Sequence, residues 1–257
     1  MDLARFIFWT AIKALGLAFL GLLTAKAVSG LRGSDAEGSQ DRLRWVRGLL
    51  YAAILALVIQ GARIVGTDIA AENYAHTSQQ NLARFELAKA YENARRAVEL
   101  RPGELAYWHA LAGAKFAQKQ YASLVADRPV LLALGRGKLA EEDAYTCAVA
   151  YYALAQYDKV IPLTENMIRE NRVYAAPYVL QGYTFLAQKK FPEAERTFLE
   201  VLQMFPTMQV AVEGLAHAHF LEGDRAAALE VLGQTSRFSF PPEARQRFEA
   251  LKALYAQ

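Results

Sequence analysis

The chain has 257 residues, 54% of them hydrophobic, and carries 29 Lys and Arg against 26 Asp and Glu. Residues 1–66 hold eight basic and four acidic side chains, a net of +4, which leaves 21 and 22, a net of −1, in residues 67–257. The larger C-terminal part is therefore electrically balanced, which argues against nucleic acid as a partner, since that needs a basic patch. A single cysteine, Cys147, excludes an internal disulfide.

The first predicted element is a run from Phe6 to Ala25, 20 residues whose only charge is Lys13. At 1.5 Å per residue it matches a hydrocarbon core of roughly 30 Å. A second uncharged run, Gly48 to Ala62, is framed by Arg47 and Arg63 and holds 15 residues. It is short for a span, but both arginines can snorkel and Ile64–Gly66 can lengthen it. The stretch 29–44, rich in glycine, serine and charge, reads as a polar loop between the two spans. The expectation for residues 1–66 is a transmembrane helical hairpin.

Five Lys and Arg lie between Lys26 and Arg47, against Arg5 and Arg63 on the outer flanks. The positive-inside rule then puts the loop in the cytoplasm and the rest of the chain across the membrane, on the periplasmic side of a bacterial inner membrane. Another reading takes Ala14 to Leu23 with Ala25-Lys26-Ala27 as a cleaved signal peptide. It leaves one anchor and the same orientation. Gly48, Ala52 and Ala56 recur every four residues, a small-residue stripe that permits close helix contact within the bilayer or within the hairpin. Lys13 is either a functional intramembrane charge or a snorkelling side chain.

Beyond a connecting segment at 67–104, residues 175–208 read AAPYVLQGYTFLAQKKFPEAERTFLEVLQMFPTM. Tyr178, Gly182, Phe185, Ala194, Phe198 and Pro206 stand at positions 4, 8, 11, 20, 24 and 32 of a 34-residue unit. This unit resembles the tetratricopeptide repeat (TPR), with Gln181 departing at position 7. Stepping by 34 gives units at 141–174 and 209–240: Ala148, Gly182 and Ala216 share the small position, and Val160, Ala194 and Ala228 share the second one. A looser unit at 105–138 carries Trp108, Leu111, Ala112 and Tyr121. Pro129 within it is expected to start or kink a helix, and a two-residue shift of register follows Gly135-Arg136-Gly137. Residues 81–101 read as one lone second helix, and 241–257 as a capping helix opened by Pro241-Pro242. The expected fold class is all-α: a membrane hairpin followed by a TPR-like α-solenoid.

The resemblance implies pairs of antiparallel helices and a concave groove lined by the first helix of each pair. Carried onto this sequence, that groove holds His109, Phe116, Tyr145, Tyr152, Tyr183, Leu186, His217 and Phe220, with the acids Glu142 and Glu213 and no Lys or Arg. Such a lining suits an apolar or aromatic partner segment, or the protein's own chain folded into the groove.

No HExxH, CxxC, GxSxG or phosphate-binding glycine loop occurs. His217 and His219 are two residues apart, so they do not share a helix face and make a poor metal site without a third ligand nearby in sequence. No catalytic residue, metal or cofactor is expected. The expected partners are other proteins, membrane-associated ones foremost, and the lipid bilayer. Two roles fit: a tethered scaffold or assembly factor working through the groove, or a stoichiometric subunit of a membrane complex held by its spans through Lys13, Gly48, Ala52 and Ala56.

Overall fold

The computed structural model describes residues 36–256, with side chains at Trp45 and from Arg47 onward. The chain divides into two units, Met1–Gly66 and Thr67–Gln257. The helices are α1 (Ala36–Ala83), α2 (Leu87–Leu100), α3 (Leu105–Ala117), α4 (Tyr121–Leu134), α5 (Glu141–Ala153), α6 (Tyr157–Glu170), α7 (Ala175–Ala187), α8 (Phe191–Met204), α9 (Gln209–Glu222), α10 (Arg225–Gln234) and α11 (Pro242–Tyr255). One 3₁₀ turn, Thr235–Arg237, follows α10, and no strand occurs among the described residues.

The first unit is described only along α1. The described helix begins at Ala36, inside the stretch 29–44 expected to be a loop, so residues 36–44 are helical instead. Leu49, Leu55, Leu57, Val58 and Ile59 are all more than half exposed. Among the described residues one helix, over Arg47–Ala83, is long and apolar enough to cross a membrane. The first expected span, Phe6–Ala25 with Lys13, lies outside the described residues.

The second unit is a series of helix pairs, and its backbone marks them. Phe85, Lys119, Ala155, Lys189 and Gly223 all have left-handed φ, between 55° and 101°. Each stands at position 15 of a repeat, where the first helix ends and the second is about to begin. In each turn the following N–H donates five residues back: Glu86 to Asn81, Gln120 to Lys115, Gln156 to Tyr151, Lys190 to Phe185 and Asp224 to His219, at 2.8–2.9 Å. That bond is the mark of a Schellman cap, which satisfies a carbonyl the helix leaves over. The interval from Lys119 to Ala155 is two residues longer than the others. The extra residues fall at Gly135–Lys138, where Arg136 and Gly137 both take positive φ.

The earliest cap corrects the reading of 81–101 as a lone helix. The end of α1, from Ala71 to Ala83, is the first helix of a pair completed by α2. Ala71 and Ser78 are fully buried, and the Ser78 hydroxyl donates to the carbonyl of Ala90 at 2.7 Å. Asp68 pairs with Arg101, and Arg96 lies over the Tyr74 ring. Helix α2 itself starts at Leu87, and Asn81 belongs to α1. Pro129 neither starts nor breaks a helix: α4 runs through it.

The core follows the two small positions. Ala90, Leu124, Val160, Ala194 and Ala228, all at position 20, are 0% exposed. They face Ser78, Ala112, Ala148, Gly182 and Ala216, which are buried too. At the third pair the first small position is glycine. Phe198 of α8 is fully buried between α7 and α9. A Cβ on Gly182 would stand 2.7 Å from its ring, and one on Gly214 would stand nearer still. Position 11 holds a charged exception: Lys115 is buried and pairs with Asp127 of α4.

Two consequences for stability follow. Left-handed backbone costs a residue with a Cβ roughly 1–2 kcal/mol, while glycine adds roughly 0.5–1 kcal/mol of chain entropy. Ala155→Gly and Lys189→Gly should each therefore raise stability by about 0.5–1 kcal/mol, read as a higher thermal midpoint by circular dichroism. Gly182→Ala and Gly214→Ala should do the opposite. A helical alanine gains about 1 kcal/mol in propensity, but overpacking against a trapped ring costs about 1–3 kcal/mol. The same melts check both, and a raised midpoint in Gly182→Ala or Gly214→Ala would refute the tight packing.

Candidate functional site

The candidate groove lies along the first helices α3, α5, α7 and α9. Its position-12 residues lean on position 17, the start of the second helix. Phe116 meets Tyr121 edge-on at 6.2 Å between centroids, Tyr152 meets Tyr157 at 5.7 Å, and the Arg225 guanidinium lies 5.9 Å from the Phe220 centroid. The same contact, made in three repeats, holds these rings at one height along the array. Tyr145 packs on Tyr174 at 6.1 Å. Phe116, Tyr145, Tyr152 and Tyr183 are each half-buried, with part of the ring open.

Leu186 differs. It is only 6% exposed and sits in the core of the third pair, so it is withdrawn from the groove lining. Position 12 there is aliphatic and packs inward, whereas a ring is too large to do so. Tyr183 edges onto Phe198 at 5.3 Å and its hydroxyl donates to the Val210 carbonyl at 3.3 Å. Burial pushes its phenol up to about 12, so the group stays a neutral donor.

His217 and Phe220 are half-buried as well, and the chain itself packs against them. Tyr255 of α11 stacks on Phe220 with centroids 4.2 Å apart, and its hydroxyl lies 3.1 Å from His217 Nδ1. Tyr255 is 2% exposed. Arg247 of the same helix pairs with Glu213 at 3.0 Å, and Glu213 also accepts from Gln209 at 2.7 Å. Helix α11 begins 33 residues after α9 and takes the place of the next repeat's first helix, burying Ala244, Phe248 and Tyr255. Of the two possible occupants of the groove, the protein's own chain therefore holds its last section.

The remaining acid is one that spacing did not single out. Asp143 of α5 is buried beside His109 of α3. Burial pushes its carboxyl above the usual carboxylate range, and the neighbouring His109 opposes that rise. The pair bridges the first two groove sections. The only sequence signal was Asp143 following Glu141 and Glu142, a run that reads as ordinary acidic residues in a first helical turn.

Cys147 is fully buried, and burial pushes its thiol up to about 12. It is a protonated core residue at neutral pH, which leaves no thiolate to act as nucleophile. A cavity of 350 Å³ between α4, α5 and α6 is lined by Arg128, Lys138, Glu141, Asn166 and Glu170 and shares no residue with the groove. Gly48, Ala52 and Ala56 all lie on exposed parts of α1.

Burial holds the His217 imidazole below its ordinary value of 6.5, so the folded state favours the neutral ring. The stability this represents is present above 6.5 and is lost as pH falls through it, because the unfolded chain takes up the proton first. Acidification should therefore loosen α11, seen as lower amide protection over 242–255 once the intrinsic pH dependence of exchange is divided out, and His217→Gln should flatten that dependence. Protection factors that are the same at neutral and acidic pH would count against it.

No protein-family model matches the chain, and no curated protein does. Solved structures do. YrrB, a TPR protein with an unusual peptide-binding site, superposes with a TM-score of 0.56 at 15% identity, over 69% of this chain and 90% of YrrB. MamA from Desulfovibrio magneticus gives 0.60 at 15% identity, over 65% of this chain and 94% of MamA. A thermophilic TPR protein of Thermus thermophilus gives 0.52 at 17% identity, over 70% and 98%. The solenoid has the TPR fold.

Proposed function

We propose that this chain is a membrane-tethered scaffold or assembly factor whose TPR groove holds an apolar or aromatic segment of another protein. The observation that carries the reading is the row of open rings, Phe116, Tyr145, Tyr152 and Tyr183, on three successive first helices with no Lys or Arg among them. Half-buried aromatics held by neighbours suit binding, because they offer contact area at little cost in side-chain entropy. The peptide-binding site of YrrB is in keeping with this use of the fold. The groove open to a partner runs from His109 to Tyr183, since α11 holds the section beyond.

The tether is α1, whose large apolar side chains are exposed over Trp45–Ile64. Together with Phe6–Ala25 it makes the hairpin of the first unit, with the basic loop in the cytoplasm of a bacterial cell and the repeats on the periplasmic side. The exposed stripe of Gly48, Ala52 and Ala56 supports a second reading, a fixed subunit of a membrane complex held through its spans.

The two readings place the binding energy differently. Under the first, Tyr145→Ala with Tyr152→Ala should weaken association with co-purifying proteins at least about tenfold, since each buried ring is worth about 1–2 kcal/mol or more. Ala52→Leu with Ala56→Leu should leave it unchanged. The measurement is quantitative mass spectrometry of what a C-terminal tag retains in mild detergent. The reverse pattern selects the subunit reading, and indifference to both pairs of changes rejects both.

A further inference from the structure

We propose that Glu195, His219 and Glu222 form a binding site for a divalent transition-metal ion, of the class that zinc represents. His219 and Glu222 stand three apart on α9 and so share a face, and Glu195 comes from α8. The ligand atoms of all three lie within 4.8 Å of one another. His219 Nε2 is 3.9 Å from Glu195 Oε1, with the imidazole 15% exposed and the carboxylate 37% exposed.

The repeats supply an internal control for this cluster. Its members occupy position 21 of one unit and positions 11 and 14 of the next. At the preceding junction those positions hold Ile161, Phe185 and Gln188, and at the one before that Val125, Tyr151 and Leu154. Those residues carry no formal charge and are mostly apolar, and Tyr151 and Val125 belong to the core there. Only the junction of α8 and α9 has three metal-ligating groups together in these places. An ion pair between His219 and Glu195 accounts for one acid. Glu222, exposed at the end of α9, brings a second carboxylate beside the first.

The donor set also fits. One imidazole nitrogen and two carboxylates suit zinc, which takes His and Asp or Glu ligands at about 2.0–2.2 Å. Tetrahedral ligands at that range stand about 3.3 Å apart, so Glu195 need approach His219 by only about half an ångström. Two of the ligands sit on one helix and the third on its packed neighbour, so side-chain rotation alone can close the site. Three protein ligands leave a fourth position for water. The histidine pair His217 and His219 does not contribute jointly, since His217 points to Tyr255. The third ligand comes from the preceding repeat.

This site is independent of the groove, and its test does not rest on any partner. The untagged full chain in detergent is titrated with Zn²⁺ against a chromophoric chelator, and with Co²⁺ followed by visible absorption. A one-to-one complex with a tetrahedral cobalt spectrum is expected. His219→Phe puts in the residue found at the equivalent position 185, so the junction should keep its packing while binding weakens at least about tenfold. Glu195→Gln and Glu222→Gln should weaken it too, with unchanged far-ultraviolet circular dichroism in all three. Zinc should raise the thermal midpoint of the wild type and not that of His219→Phe. Absence of a one-to-one complex in the wild type, or one that survives His219→Phe unchanged, overturns the proposal.

Discussion

The second unit depends on how closely two helix backbones can approach. Phe198 makes the point most sharply: its ring lies between Gly182 and Gly214, and neither neighbour has room for a methyl group beside it. With glycine on both sides, one phenyl group can touch the helix before it and the helix after it. It thereby welds the third pair to the fourth. Elsewhere the same approach is made through Ser78, Ala148 and Ala216, with Ala90, Val160 and Ala228 at position 20. The groove is a by-product of this packing. Once the small positions are buried, the opposite side of each first helix is turned outward, and its rings line up.

Much of this was legible in the sequence, because a helix pair is a local object. Small residues at 8 and 20, an aromatic at 24 and a proline at 32 sit inside one 34-residue window, and each acts on its own pair. What escaped was either disguised or distant. The first pair hides because Asn73–Gln80 reads as a polar connector. Its buried face is marked only by Ala71, Ser78 and Asn81, and Ser78 is buried with its hydroxyl on the Ala90 carbonyl. Gly214 is an unremarkable glycine until the ring against it is seen. Asp143 beside His109 and Glu195 beside His219 both join residues of different repeats, which no spacing within one window reveals.

The groove lining shows the same division. Register puts Phe116, Tyr145, Tyr152 and Tyr183 on one side of their helices, since that side is set by turns of 3.6 residues. It could not say how deep each side chain sits. Leu186 shares its register position with Phe116 and Tyr152, yet it sinks into the core because it is small enough to do so. His217 and Phe220 are covered by Tyr255, which lies 38 and 35 residues further along. A C-terminal helix that imitates the next repeat thus shortens the binding surface while it closes the core.

The two extra residues between Lys119 and Ala155 act as a dislocation in an otherwise regular lattice. An array of repeats is held by nearest-neighbour couplings, and it parts first where one coupling is small. At this junction position 24 is Arg128, whose Nε is buried without a hydrogen-bond partner, where the third pair has its phenylalanine. A 350 Å³ cavity opens beside it. The core nonetheless runs through this junction: Leu124 of α4 shares one buried cluster with Cys147, Ala148 and Val160 of α5 and α6. The His109–Asp143 pair stands across the same step. The dislocation is thus bridged by apolar packing and by one polar pair, and the repeats stay one array across it.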